Sequence, residues 1–94
     1  MTCRYTLMTE TKPNLGELAS RFFEGFTLIE GAGYWKGVPE GSTSIVVIGD
    51  NRLPEVYELA HLIRRENKQT AVLVTVEPLA SARLVTVEGL SEVA

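Results

Sequence analysis

The chain has 94 residues, with nine Lys and Arg against twelve Asp and Glu for a net charge of −3, and 45% of its residues are hydrophobic against 22% charged. That balance reads as one ordered domain over residues 1–94 and excludes a disordered chain. The basic residues are scattered apart from Arg64 and Arg65, so nucleic acid is not expected as a partner, and the longest apolar run, Ile45 to Ile48, is far too short to span a membrane. The N-terminal stretch has no basic region followed by an apolar segment, so the chain reads as cytoplasmic. A lone Cys3 and a lone His61 cannot build a Cys/His zinc site, and Cys3 is expected as a buried strand residue. A chain this short keeps much of its surface wet, and a partner subunit is expected to help its stability.

In chain order, Cys3 to Met8 alternates as a first strand, with Cys3, Tyr5 and Leu7 on one face. Asn14 is placed to cap a helix, with Glu17 three residues on as a variant capping box, and the spacing of Leu15, Leu18, Ala19 and Phe22 predicts a helix from Leu15 to Glu24. Phe26 to Lys36 reads as a second strand, bulged or bent at Gly31 and Gly33. The stretch "GVPEGS" reads as a turn, and the β-branched run Thr43 to Ile48 as a third strand. Pro54 opens a second helix whose stripe of Val56, Leu59, Ala60 and Ile63 ends near Asn67. Thr70 to Val76 predicts a fourth strand. The pentapeptide "LVTVE" at Leu73 to Glu77 recurs at Leu84 to Glu88, which predicts one additional C-terminal strand of like amphipathicity, pairing within the chain or sent to another subunit.

The order matches an α+β fold, a ferredoxin-like βαββαβ sandwich with an additional C-terminal strand: two helices on one face of an antiparallel sheet. The other sheet face then needs cover, and self-association supplies it. On "FTLIEGAGYWKGVPEGSTSIVVIGD" and "VYELAHLIRRENKQTAVLVTVE" the chain resembles the PII/CutA-like group, and also a family of short bacterial proteins with a "GxW" segment before a strand and "QxAVL" after the second helix. The resemblance implies a homo-oligomer, a trimer ahead of a dimer, with ligands or partners near the loop between the second and third strands. The loop is short and lacks the nucleotide-binding segments of true PII signalling proteins, so ATP or 2-oxoglutarate sensing is not implied.

The residues themselves offer one site. Tyr34 and Trp35 present amphipathic rings beside flexible glycines, Lys36 adds a cation, and Glu30 precedes them with no second carboxylate at a spacing that supports acid–base chemistry. Arg52, after Asp50 and Asn51 at the start of the second helix, completes a ligand-binding set of Glu30, Tyr34, Trp35, Lys36 and Arg52 for a small anionic ligand or a protein partner. Alternation nevertheless puts Trp35 on the opposite side from Tyr34 and Lys36, and Asp50 or Asn51 is equally read as a plain N-cap. No catalytic residue, metal site, P-loop or cofactor signature is found. The expected function is a non-enzymatic regulatory binding module. One rival is a cofactor-free enzyme of the dimeric α+β barrel kind, drawing on His61, Trp35 and Tyr57; the other is a structural or inhibitory adaptor of a mobile element or virus.

Overall fold

Alternation in the first strand sets the architecture. In a computed structural model, which describes residues 1–93, strand β1 (Thr2–Glu10) buries Cys3, Tyr5, Leu7 and Thr9 and turns Arg4 and Met8 outward. Side chains on a strand point alternately to its two faces, so one apolar row in every second position selects the core side. Helix α1 (Leu15–Ser20) buries Leu15, Leu18 and Ala19 against that row, and helix α2 (Leu53–Glu66) buries Val56, Leu59, Ala60 and Ile63. The sequence stripe of α2 is therefore its core face.

Strands β2 (Thr27–Trp35), β3 (Val38–Asp50) and β4 (Leu73–Pro78) join β1 in an antiparallel sheet ordered β2-β3-β1-β4. Two helices pack on one side of it, which is the ferredoxin-like arrangement. β1 meets β3 with Tyr5 opposite Val47, Leu7 opposite Ile45 and Thr9 opposite Thr43, so the buried rows of the two central strands coincide.

Local details depart from the sequence reading. The first helix stops at Ser20 rather than Glu24, because the chain tightens there: Arg21 N–H donates to Leu18 and Phe22 N–H to Ala19, three residues back. That tightening swings Phe23 into the core and leaves Phe22 half-buried. No capping box forms. The Asn14 amide instead exchanges two hydrogen bonds with the Asn67 amide at 3.0 and 3.1 Å, tying the start of α1 to the end of α2, while Glu17 pairs with Arg21. The second strand carries no bulge: its pairing with β3 runs one to one from Thr27 opposite Val46 to Trp35 opposite Val38. The fourth strand begins at Leu73, three residues later than expected.

The additional C-terminal strand is in fact two. β5 (Arg83–Thr86) and β6 (Gly89–Glu92) form a separate two-stranded sheet that does not join the main one. The repeated "LVTVE" breaks at Val87 and Glu88, where the Thr86 hydroxyl accepts from Glu88 N–H and donates to the Gly89 carbonyl, closing a turn that the first copy does not make.

Helix α2 ends in a Schellman closure. Gln69 N–H donates to the Arg64 carbonyl and Lys68 N–H to the Arg65 carbonyl, with Lys68 in the left-handed region at φ 52. Glycine adopts that conformation without the Cβ clash that a lysine meets. Lys68→Gly should therefore raise unfolding stability by about 1 kcal/mol, read as a higher urea midpoint at unchanged m-value. Leu7, 0% exposed at the centre of the sheet, should lose roughly 2–5 kcal/mol on truncation to Ala in the same measurement.

Candidate functional site

The stretch between the second and third strands is a hairpin with a two-residue turn. Lys36 (φ 51) and Gly37 (φ 80) both have positive φ between the partners Trp35 and Val38, the primed turn whose twist matches that of flanking strands. "GVPEGS" is thus mostly strand, a correction to the turn reading. Pro39 fits there because in such a hairpin the closing pair exchanges both hydrogen bonds and the next pair, Tyr34 with Pro39, exchanges none. Its missing N–H faces away from β2, beyond the end of β1, where no strand asks for it.

β1 stops opposite Ser42, so Ala32–Trp35 and Val38–Gly41 run on as a two-stranded ribbon past the sheet. The two strands of the ribbon come close at Gly33, where a Cβ would meet the Ser42 Cβ at 3.1 Å, tighter than ordinary van der Waals contact. An open cleft of about 280 Å³ lies between the ribbon and the end of the sheet. Tyr34, Trp35 and Glu40 wall it from the ribbon, and Glu10 and Gln69 close it from the end of β1 and the α2–β4 connection.

Gln69 is held there by the Schellman closure and is 7% exposed. Its Oε1 accepts from the Thr9 hydroxyl at 2.8 Å and from Glu10 N–H at 3.4 Å. Its Nε2 is buried without an acceptor. Glu10 also lies 3.5 Å from Lys12 Nζ, whereas Glu40 makes no ion pair among the described residues.

The five residues singled out from sequence do not converge. Tyr34 and Trp35 do meet at the cleft, despite pointing to opposite sides of their strand, because the ribbon's end is where the cleft forms. Lys36 sits exposed in the turn, and Glu30 lies exposed on β2 opposite Thr43, outside the cleft lining. Arg52 is at the other end of the molecule: the length of β3 separates it from the turn, roughly 40 Å at about 3.3 Å per residue, in a chain whose longest extent is 47 Å.

Arg52 is engaged where it stands. It occupies the N-cap position of α2 in place of Asp50 or Asn51, and its side chain makes no cap hydrogen bond. Its backbone N–H donates to the Tyr5 hydroxyl at 3.1 Å, its guanidinium donates to the Phe22 carbonyl at 3.4 Å and lies 5.2 Å from the Phe23 ring centre, and its Nε is 3.0 Å from Glu55 without hydrogen-bond alignment. Together with Arg83 it borders a separate cleft of about 720 Å³ between the sheet's end and the C-terminal hairpin. Nearby, the Asp50 carboxylate accepts from the Met1 amine and holds its pKa above the ordinary value. His61 and Tyr57 border a third cleft with Arg64, whereas Trp35 lines the second, so the enzyme trio does not share one cleft. Among the described residues no three or more His, Cys, Asp and Glu side chains gather as a metal site, and no helix is long and apolar enough to cross a membrane.

Glu10, Glu40 and Gln69 were missed in the sequence. Glu40 was within reach of it: once Lys36–Gly37 is recognised as the turn, pairing places Glu40 opposite Gly33 and on the face of Trp35. Gln69 meets Thr9 from 60 residues away, and no local pattern signals that.

No protein-family model matches the chain, and no curated protein matches its sequence. A solved structure does match: a protein from Archaeoglobus fulgidus described as the periplasmic divalent cation tolerance protein CutA, at a TM-score of 0.59 and 14% identity, with 87% of each chain covered. The fold is thus of the PII/CutA-like, ferredoxin-like kind, which is what the likeness shows at that identity.

The separation of Trp35 from Arg52 is directly testable. The stability losses of Trp35→Ala and Arg52→Ala should add in the double variant to within about 0.5 kcal/mol, as for sites with no shared partner; a larger coupling in urea unfolding would mean that the two ends communicate.

Proposed function

We propose that this chain is a non-enzymatic, self-associating regulatory module of the PII/CutA-like type that binds a small ligand at the ribbon cleft. One observation carries the reading: the helices cover a single face of the sheet. The other face shows Met8, Ile29, Ile48 and Leu73 to solvent, and the C-terminal hairpin exposes Leu84, Val85, Val87 and Leu90, with Val87 99% exposed. Apolar side chains collected on one uncovered face and one projecting hairpin mark a surface that another chain covers.

A second copy is the economical cover. β2 is an edge strand whose residues are exposed along almost its whole length, and β5–β6 brings further unpaired strand edges, so copies can pair backbone to backbone as well as pack face to face. A count of three rests on the likeness to the PII/CutA-like group, with two as the second choice. We place the protein in the cytoplasm on its sequence; the Archaeoglobus protein is described as periplasmic. The space where a dimeric α+β barrel enzyme would hold its substrate, between helices and sheet, is occupied by the fully buried side chains of Leu7, Ile45, Val56, Leu59 and Ile63.

Native mass spectrometry and light scattering test this reading. A trimer is expected. Ile29→Lys, on the uncovered face, should shift the mass toward a monomer while the folded chain keeps its circular dichroism, because an exposed substitution alone costs within about 0.5 kcal/mol. A wild-type protein that stays monomeric across concentration would refute it.

A further inference from the structure

We propose that the tip of the β2–β3 ribbon docks on an anionic lipid surface, entering the headgroup layer and going no deeper. Neither the ligand cleft nor self-association is needed for it. From Ala32 to Pro39 the only charged residue is Lys36, in the turn. Trp35 and Val38 are pairing partners and share one face of the ribbon, while Tyr34 and Pro39 are partners and share the other. All four are exposed, Tyr34 to 74%, Val38 to 62% and Trp35 to 55%.

A folded partner seats itself on one face of a strand pair and leaves the other wet. Here each face of the tip carries a ring and an aliphatic side chain, and a fluid layer surrounds both. Trp and Tyr favour the bilayer interface, where the ring meets the apolar boundary and its N–H or O–H meets water and headgroups. Lys36, set between the two faces, gives the tip the sign that anionic headgroups attract.

The backbone acts in the same direction. At position 39 the outward edge of β3 faces away from β2 and lies beyond the end of β1, and Pro39 has no N–H to present there. Strand addition by a second copy loses a donor at this edge, and moving the tip out of water leaves one fewer polar group unpaired. Charge then limits the depth. Glu40 is the first carboxylate below the turn, and the strand from Gly37 to Glu40 spans roughly 10 Å at about 3.3 Å per residue. That length matches the roughly 5–10 Å to which interfacial elements bury their apolar side chains. The chain's net charge of −3 opposes approach only weakly, because exposed charges are screened beyond about 8 Å at physiological salt.

Trp35 is the only tryptophan, so its emission reads the tip without a label. Vesicles of phosphatidylcholine and phosphatidylserine in equal parts should shift that emission to the blue, saturably, and brominated acyl chains in them should quench it. Lys36→Gln should weaken partitioning into these vesicles roughly fivefold, the effect of one cation near an anionic surface, yet bind phosphatidylcholine alone as the wild type does. Val38→Ser, at an exposed position, should weaken both kinds of binding several-fold with unchanged circular dichroism. The inference is overturned if the full chain fails to sediment with the mixed vesicles, if it sediments while Trp35 escapes quenching, or if Lys36→Gln partitions as wild type. A blue shift that grows with protein concentration and needs no lipid overturns it too, and gives the tip to a second copy.

Discussion

The register of β1 against β3 is the constraint from which the rest of this molecule follows. Because side chains alternate with a period of two, a slip of one residue would turn Tyr5, Leu7 and Thr9 out to solvent and bring Arg4, Thr6 and Met8 under the helices. The apolar row of β1 meets the apolar row of β3 only in the observed pairing, and both helices lay their stripes on the joint surface. A hydroxyl pair supports that register at one end of the sheet, where Thr11 and Thr43 share a hydrogen bond at 2.8 Å, and Thr9 ties β1 to Gln69 of the α2–β4 connection.

That same end becomes the candidate site because the two central strands differ in length. β3 has thirteen residues and β1 nine, so β3 and its hairpin partner continue after β1 has stopped. A two-stranded ribbon twists more freely than a sheet interior, and at Gly33 its strands approach closely, a Cβ there meeting Ser42 at 3.1 Å. Tyr34 and Trp35 of the ribbon, Glu10 at the end of β1 and Gln69, which follows the left-handed Lys68, line one cleft. Electrostatic character follows from which residues share this end. Lys36 projects from the turn and Arg52 is spent on Tyr5, Phe22 and Glu55 at the far end, so the cleft is left to carboxylates.

The asymmetry of the sheet has a separate consequence. Two helices suffice for one face of four strands, and in a chain this short no third layer remains for the other. The uncovered face is mixed rather than uniformly apolar: Arg4 and Glu77 form an ion pair across it at 2.8 Å beside Met8 and Ile48. Such a surface sets a charged pair among exposed apolar side chains.

Regular periodicity was legible in the sequence. The alternation of β1, the stripe of α2 ending at Asn67 and the antiparallel two-layer order all follow from spacings within a few residues, and each survives in the fold because burial enforces the same spacing. Local chemistry that competes with tertiary partners was not legible. Asn14 looks like a cap until Asn67 takes its amide, and the second "LVTVE" looks like a strand until Thr86 and Gly89 turn it back. The site divides along the same line. Composition and sequence neighbourhood were enough to single out Tyr34 and Trp35, because aromatic rings beside a glycine turn are visible in one dimension. Whether Lys36, Arg52, Glu40 or Gln69 joins them was decided only in three dimensions, because the length of one strand sets Arg52 apart and a contact across 60 residues brings Gln69 in.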